Sequence, residues 1–318
     1  MPLGDRLIES AREVNRQVRL ISPFVKVDTL TRVLRAIPAG VPVEVCTRWR
    51  PDEIAAGVSD LAVWDVCNDA ENVSLRLCDR LHAKAYVFDD FALIGSANLT
   101  AAALGWRPRP NIELLEGVRA ISDSVVQLLA VVDLEAVPAT QTLHDLMQEL
   151  VADLPPFNAE ECGEEDSLPY GDSSIWLPTL RDPGLLFQAY VGDFDDMTTA
   201  SAEESRRDLR ALSLPAGLRE EQFRKFVAVV MLARPPFDRL DAFLESPRVF
   251  GEVVGWIREF DGNATTRLEG QEAWQTLMRW LLYFLPLRYE RRVFRHSEVM
   301  ARRGCFEDDR HGADEPQS

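Results

Sequence analysis

Apolar and polar positions follow two different rhythms along the 318 residues. Up to about residue 117, short apolar runs alternate with helical spacings. Asp5 to Gln17 reads as a helix, Val18 to Phe24 as a strand closed by Pro23, and Val27 to Ala36 as a helix stopped by Pro38-Ala39-Gly40. Val41 to Trp49 alternates like a strand, and Pro51-Asp52-Glu53 opens a helix with proline and acids in its first turn. Val73 to Cys78, Leu81 to Phe88, Phe91 to Gly95 and Asn111 to Gly117 read as further strands. Strands alternating with helices, then a run of adjacent strands, predict a mixed sheet flanked by helices.

Beyond residue 121 the strand signal fades. Ser122–Val132 and Thr142–Ala152 read as helices, and Pro155-Pro156 then breaks the pattern. The segment Ala159 to Asp166 is acidic and contains Gly163, as a solvated linker does. Helical spacing returns over Gly184–Tyr190, Ala202–Leu212, Arg219–Ala233, Pro236–Leu244, Arg248–Phe260 and Glu269–Leu285. The expected organisation is an α/β domain over 1–155, an acidic linker over 156–166, a mainly α-helical domain over 167–305 and a disordered tail over 306–318. Phe223, Phe226, Phe243, Phe250, Trp256, Trp274 and Trp280 read as core of the helical domain. His144, on an amphipathic helix, reads as a surface residue rather than a ligand.

Charge sharpens this division. Residues 1–120 hold 15 basic and 16 acidic side chains, and 121–318 hold 20 and 36, so nearly all of the net −17 lies in the second half. A sequence pI near 4.7 argues against nucleic acid only for that half. One basic stretch interrupts it: Arg288, Arg291, Arg292, Arg295, Arg302 and Arg303 accompany only Glu290 and Glu298. It reads either as an Arg-rich face paired with neighbouring carboxylates or as a phosphate-binding stripe. The five cysteines are widely spaced with no CxxC pair, which suggests neither a disulfide framework nor a zinc ribbon and fits a reducing cytoplasm. No apolar run approaches the roughly 18 residues of a membrane span, and no secretory leader follows Met1.

Chemistry concentrates in residues 82–113. His82-x-Lys84 is followed by four residues and Asp89, then by Gly95-Ser96-x-Asn98, and later by Asn111-Ile112-Glu113. Residues two apart on a strand share a face, so His82 with Lys84, Ser96 with Asn98, and Asn111 with Glu113 are expected to converge on one volume. Ala83 and Ala85 would point the other way, into a packed layer. Lys84 offers positive charge and Asn98 amide donors, which suit phosphate oxygens; Ser96 and the amides after Gly95 can add more. A neutral imidazole can attack phosphorus, and Glu113 can accept the other ring N–H of His82. No metal-binding carboxylate cluster accompanies the set, so metal-independent chemistry without a cofactor is expected.

The order His82-x-Lys84-x4-Asp89 with Gly95-Ser96-x-Asn98 resembles the signature of the phospholipase D superfamily, in particular its single-motif bacterial members that act as nucleases. The resemblance covers about residues 15–117, and Arg19 to Phe24 fits the family's first core strand. It implies an α/β phospholipase D-like domain with His82 as nucleophile or general acid. Lys84 and Asn98 would be phosphate ligands, Ser96 a supporting donor and Glu113 the partner of His82. Asp89 would anchor a turn. The family's reaction uses two histidines, one attacking and one protonating the leaving group. None of His144, His296 and His311 is followed by a lysine two residues on. The resemblance therefore implies a homodimer with two His82 residues on a twofold axis.

The function expected is a phosphodiesterase acting on nucleic acid, DNA rather than RNA, in a bacterial defence or restriction system. Two alternatives compete. A lipid-directed phospholipase should show export, an interfacial surface or duplicated motifs. An interaction module would recruit a partner protein through the acidic helical domain.

Overall fold

A computed structural model describes residues 2–120, 122–155, 176–260, 267–294 and 297–306. The expected acidic linker and the expected tail beyond Phe306 lie outside the described residues.

The first part of the chain runs α1 (Leu3–Glu13), β1 (Val18–Ile21), α2 (Val27–Leu34), β2 (Val43–Thr47), α3 (Pro51–Ala55), α4 (Val63–Asn68) and β3 (Val73–Leu77). Then follow β4 (Lys84–Phe88), β5 (Phe91–Gly95), β6 (Leu115–Arg119), α5 (Asp123–Glu135), β7 (Val137–Pro138) and α6 (Gln141–Asp153). All seven strands form one sheet in the order β6-β5-β4-β1-β2-β3-β7. β1, β2 and β3 are parallel, joined by helical crossovers; β4 returns antiparallel beside β1, and β5, β6 and β7 also pair antiparallel. The sheet is therefore mixed, as the strand–helix rhythm predicts.

Alternation along the strands feeds two apolar layers. On one face Ile21, Cys46, Ala85, Val87 and Ala92 are buried, with Ile94, beneath Val125, Leu128, Leu129 and Val132 of α5. Ala83 packs against this same layer beside Ala85, as expected. The neighbouring strand positions Leu20, Tyr86 and Leu93 are also buried. Leu7 and Ala11 of α1 and Leu30 and Val33 of α2 are buried too, with α1 packed on both α2 and β4. Burying these side chains stabilises the sheet by about 25 cal/mol for each Å² of apolar surface removed from water.

The remaining elements are α7 (Leu186–Tyr190), α8 (Thr199–Leu212), α9 (Glu220–Leu232), α10 (Phe237–Phe243), β8 (Arg248–Val249), α11 (Phe250–Phe260), α12 (Arg267–Phe284), β9 (Tyr289–Phe294) and β10 (Ser297–Arg302). They correct the expected domain plan. The chain divides into one unit of Met1–Pro169 with Pro215–Pro235, and a second of Tyr170–Leu214 with Pro236–Ser318. Helix α9 belongs to the first unit and not to a continuous 167–305 domain. It packs on α6, where Gln222 donates to the Asp153 carbonyl at 2.5 Å and Arg219 pairs with Asp153 at 2.9 Å. Nine consecutive-to-near positions of α9, from Gln222 to Leu232, are buried, more than one helix face holds, so the helix needs cover on several sides.

The second unit is mainly helical, with one addition the sequence reading lacked. β8, β10 and β9 form a three-stranded antiparallel sheet, built partly from the basic stretch. Trp274 and Trp280 are buried there, while Phe243 and Trp256 are half-buried and stack on each other at 5.8 Å. Phe223 and Phe226, expected in the helical domain's core, are buried in the first unit instead.

Candidate active site

Sheet topology collects the chemistry at one end. The chain leaves β1, β2, β3 and β5 at that end and enters β4 and β6 there, because the last three strands named run antiparallel to their neighbours. Lys84 pairs with Gly95 at the end of the β4–β5 ladder, and Gly95 pairs with Leu115. Three segments far apart in the motif thus meet within two strand spacings of each other, about 10 Å.

Gly95 permits that approach. A Cβ placed there would lie 1.9 Å from the Leu114 carbonyl oxygen, so any larger residue would push β6 away. Ser96 N donates to Leu114 O at 2.9 Å, and Leu114 N donates back to Ser96 Oγ at 3.0 Å. Ser96 Oγ in turn donates to Glu113 Oε2 at 2.5 Å, and Asn111 Nδ2 donates to Glu113 Oε1 at 3.2 Å. Both carboxylate oxygens of Glu113 are therefore oriented by fixed donors.

This arrangement corrects three expectations. Asn111 and Glu113 do not lie on a strand: β6 begins at Leu115, and the loop before it carries them. Ser96 directs its hydroxyl proton to Glu113 and its amide to Leu114, where free donors were expected. His82 stands just outside β4, which starts at Lys84, so strand alternation does not set its direction. Lys84 Nζ donates to the His82 carbonyl at 2.7 Å and ties the two residues together. His82 is exposed to solvent.

Burial, and after it the charge of Arg48, lower the Lys84 ammonium from its ordinary value, while Glu113 opposes both. Lys84 thus feels the charges of both Arg48 and Glu113. Asn98 is half-buried between buried Ala97 and Leu99, an alternation that continues the strand rhythm past β5. Its Oδ1 lies 3.3 Å from Ser22 Oγ, which also receives Leu99 N at 3.1 Å. Tyr86, wholly buried, donates to the Ala97 carbonyl at 2.7 Å and holds the loop from beneath.

Asp89 lies at the opposite end of β4. Its carboxylate accepts the backbone N–H groups of Asn15, Arg16 and Gln17, each at 2.9 Å. Burial pushes its carboxyl up, but those three donors outweigh it and hold the group below the usual range. Asp89 itself sits at φ +51°, in the tight turn to β5. It is an anchor, five residues of strand or about 17 Å from the end that carries His82.

Several groups at this end leave no local trace in the sequence. Arg48, 4% exposed, pairs with Glu53 through two hydrogen bonds. Burial raises the Glu53 carboxyl to about 7 in spite of Arg48. Asp79 pairs with Arg234 at 2.5 Å, and Arg80 with Glu135. His144 is buried, not on the surface: its ring stacks on Trp64 at 5.8 Å and meets Trp49 at 6.3 Å. Spacing on α6 showed the helix and not the aromatic residues that other segments bring to it.

The second unit neutralises its basic stretch. Asp241 receives Arg288, Arg302 and the Tyr289 hydroxyl. Arg291 pairs with Glu298, Arg292 with Glu290, and Arg303 donates to the Pro286 carbonyl. Of the two readings, the paired face is the one these bonds fit. Arg295 lies outside the described residues.

Among the described residues no helix is long and apolar enough to cross a membrane. No family profile and no curated protein matches the sequence. Solved structures do overlap with part of it. NucT from Helicobacter pylori is 15% identical, covers 46% of this chain and 86% of its own, and gives a TM-score of 0.31. Nuc from Salmonella typhimurium, described as a phospholipase D family member, is 16% identical over 43% of this chain and 90% of its own, with a TM-score of 0.35. A phosphatidylserine synthase from Haemophilus influenzae is 14% identical over 41% of this chain and 34% of its own, with a TM-score of 0.34. Overlaps this loose transfer no residue role, substrate or partner.

Proposed function

We propose that this chain is a phosphodiesterase of the phospholipase D type that cleaves nucleic acid, DNA in preference to RNA, without a metal. One observation carries the reading: the Lys84–Gly95–Leu115 ladder joins the His82–Lys84, Ser96–Asn98 and Glu113 segments at a single end of the sheet. In this reading the neutral His82 imidazole attacks phosphorus. A phosphohistidine forms as the P–O bond to the leaving group breaks, and water then releases the phosphate. Lys84 and Asn98 donate to the non-bridging oxygens. Glu113, oriented by Ser96 and Asn111, accepts the second ring N–H of His82 and supports the charge that develops.

Attack and leaving-group protonation require two acid–base groups, and each chain carries one His82. A homodimer with two His82 rings across its twofold axis supplies both. The acidic second unit, with Arg288, Arg291, Arg292 and Arg302 paired to carboxylates, serves protein contact or site control in this reading. A role in bacterial defence, in the cytoplasm, is the setting proposed for such a nuclease.

A second reading has one observation behind it. Ile112 and Leu114, on either side of Glu113, are 104% and 64% exposed, as side chains meeting a lipid surface would be. The deciding experiment is hydrolysis of single- and double-stranded DNA, RNA and phosphatidylcholine vesicles in excess EDTA, with His82→Ala as control. Cleavage of DNA that persists in EDTA and vanishes with His82→Ala supports the proposal. Loss on chelation, survival in His82→Ala, or turnover of vesicles alone overturns it.

A further inference from the structure

The segment between β3 and β4 carries His82 and has no ladder of its own. Cys78 N donates to the Thr47 carbonyl at 2.9 Å, Leu81 N closes a turn onto the Cys78 carbonyl at 3.1 Å, and Leu81 is buried in the layer under α5. Two ion pairs flank this plug. Arg80 pairs with Glu135 at the end of α5. Asp79 pairs with Arg234, which follows α9.

The Asp79–Arg234 pair is unusual in three respects. Both side chains are largely out of water, 14% and 8% exposed, so the bond is short of competing solvent. Burial pushes the Asp79 carboxyl up, yet Arg234, Arg50 and Arg48 together hold it below its ordinary value, and Arg48 is the cation that also acts on Lys84. Finally, Arg234 stands 155 positions beyond Asp79. It closes a segment, Pro215–Pro235, whose neighbours on both sides belong to the second unit.

We infer that Arg234 is a positioning residue for the reaction: through Asp79 it fixes the turn that sets His82 at the phosphate, so that α9, drawn from the second half of the chain, is part of the catalytic apparatus. The inference rests on the proposed role of His82. Arg234 touches no reacting atom in this scheme. It restricts the backbone three residues before the nucleophile, where small displacements cost rate instead of binding. Lys84, bonded to the His82 carbonyl, would carry the same displacement to the phosphate ligands.

The test uses the full chain. Arg234→Met leaves a buried carboxylate without its partner and can fail to fold. Asp79→Asn/Arg234→Met removes both charges, and Arg234→Lys keeps both. Thermal melts select the folded variants, and steady-state cleavage of DNA in EDTA gives kcat and KM. Histidine-labelled protein gives the His82 ring titration by NMR, assigned with His82→Ala. The expected result is a kcat lower by about 10- to 100-fold with little change in KM for Arg234→Met and the double variant. A displaced His82 titration should accompany it, with the His144 signal unmoved and partial recovery in Arg234→Lys. A folded Arg234→Met or double variant with unchanged kcat and an unchanged His82 titration overturns the inference. Should the wild type cleave nothing, the nuclease proposal fails by itself. The NMR titration then decides the positioning of His82 alone.

Discussion

Ser96 Oγ donates to Glu113 Oε2 at 2.5 Å while accepting Leu114 N at 3.0 Å. One hydroxyl therefore orients the acid and fastens the loop that carries it to the end of β5. Ser96→Ala should leave the fold intact, since the Ser96 N to Leu114 O bond remains. Glu113 would keep only the bond from Asn111. The expected outcome is a fall in kcat of about 10-fold, between the loss of a peripheral contact and the 10²-fold loss of a charge-stabilising donor. Lys84→Ala and Asn98→Ala should each cost on the order of 10²-fold or more. A Ser96→Ala enzyme as impaired as Asn98→Ala would mean that Ser96 meets the phosphate itself.

Sharing of the site between two chains is open to a mixing experiment. Wild type and His82→Ala, co-refolded or exchanged at assay concentration, should give heterodimers with a single ring that cannot both attack and protonate. Activity should then fall as about the square of the wild-type fraction, with light scattering reporting a dimer. A linear fall, or full activity in a species that scatters as a monomer, excludes the shared site.

In the second unit, burial pushes the Asp208 carboxyl up to about 6, against donors from Leu180, Thr179 and Trp176. The folded state thus binds this proton more tightly than the unfolded chain, whose ordinary value is 3.8. The unfolded chain releases the proton first, so the contribution to stability is complete below that value and is lost as pH rises through about 6. The loss should be about 3 kcal/mol. Denaturant unfolding followed by tryptophan fluorescence, compared with Asp208→Asn, should show this slope between the two pH values in the wild type alone. A wild-type curve parallel to the variant's would contradict the assignment.

Paired arginines should contribute little to nucleic-acid affinity. Arg291→Ala/Arg292→Ala in the full chain removes two cations already matched by Glu298 and Glu290. Binding measured against salt should keep both its affinity and its slope. A slope reduced by about 1–2, as expected for lost phosphate contacts, would show that the stripe meets the backbone.

Much of the site is local in origin, and that part was legible. Strand β5 spans Phe91–Gly95 as its apolar run predicts, and the alternation of Ser96, Ala97, Asn98 and Leu99 persists in burial. A tight turn at Asp89-Asp90 follows from two polar residues between apolar runs, and the strand–helix rhythm yields a mixed sheet. Such features depend on side-chain period and turn chemistry within a few residues, so a single chain read in order displays them.

Where spacing misled, a distant segment had intervened. Asn111-Ile112-Glu113 carries strand-like alternation, but pairing with β5 starts only at Leu115, because Gly95 lets the Leu114 carbonyl come close and Ser96 binds the backbone on either side of it. His144 has an ordinary helical context, and only folding brings Trp64 and Trp49 to its ring. Helix α9 looks like its neighbours in the second half, yet it belongs with the first unit, where Arg234 meets Asp79. Periodicity is a property of neighbours in the chain. The partner of a buried charge is chosen by the fold, which must match each one that it takes out of water.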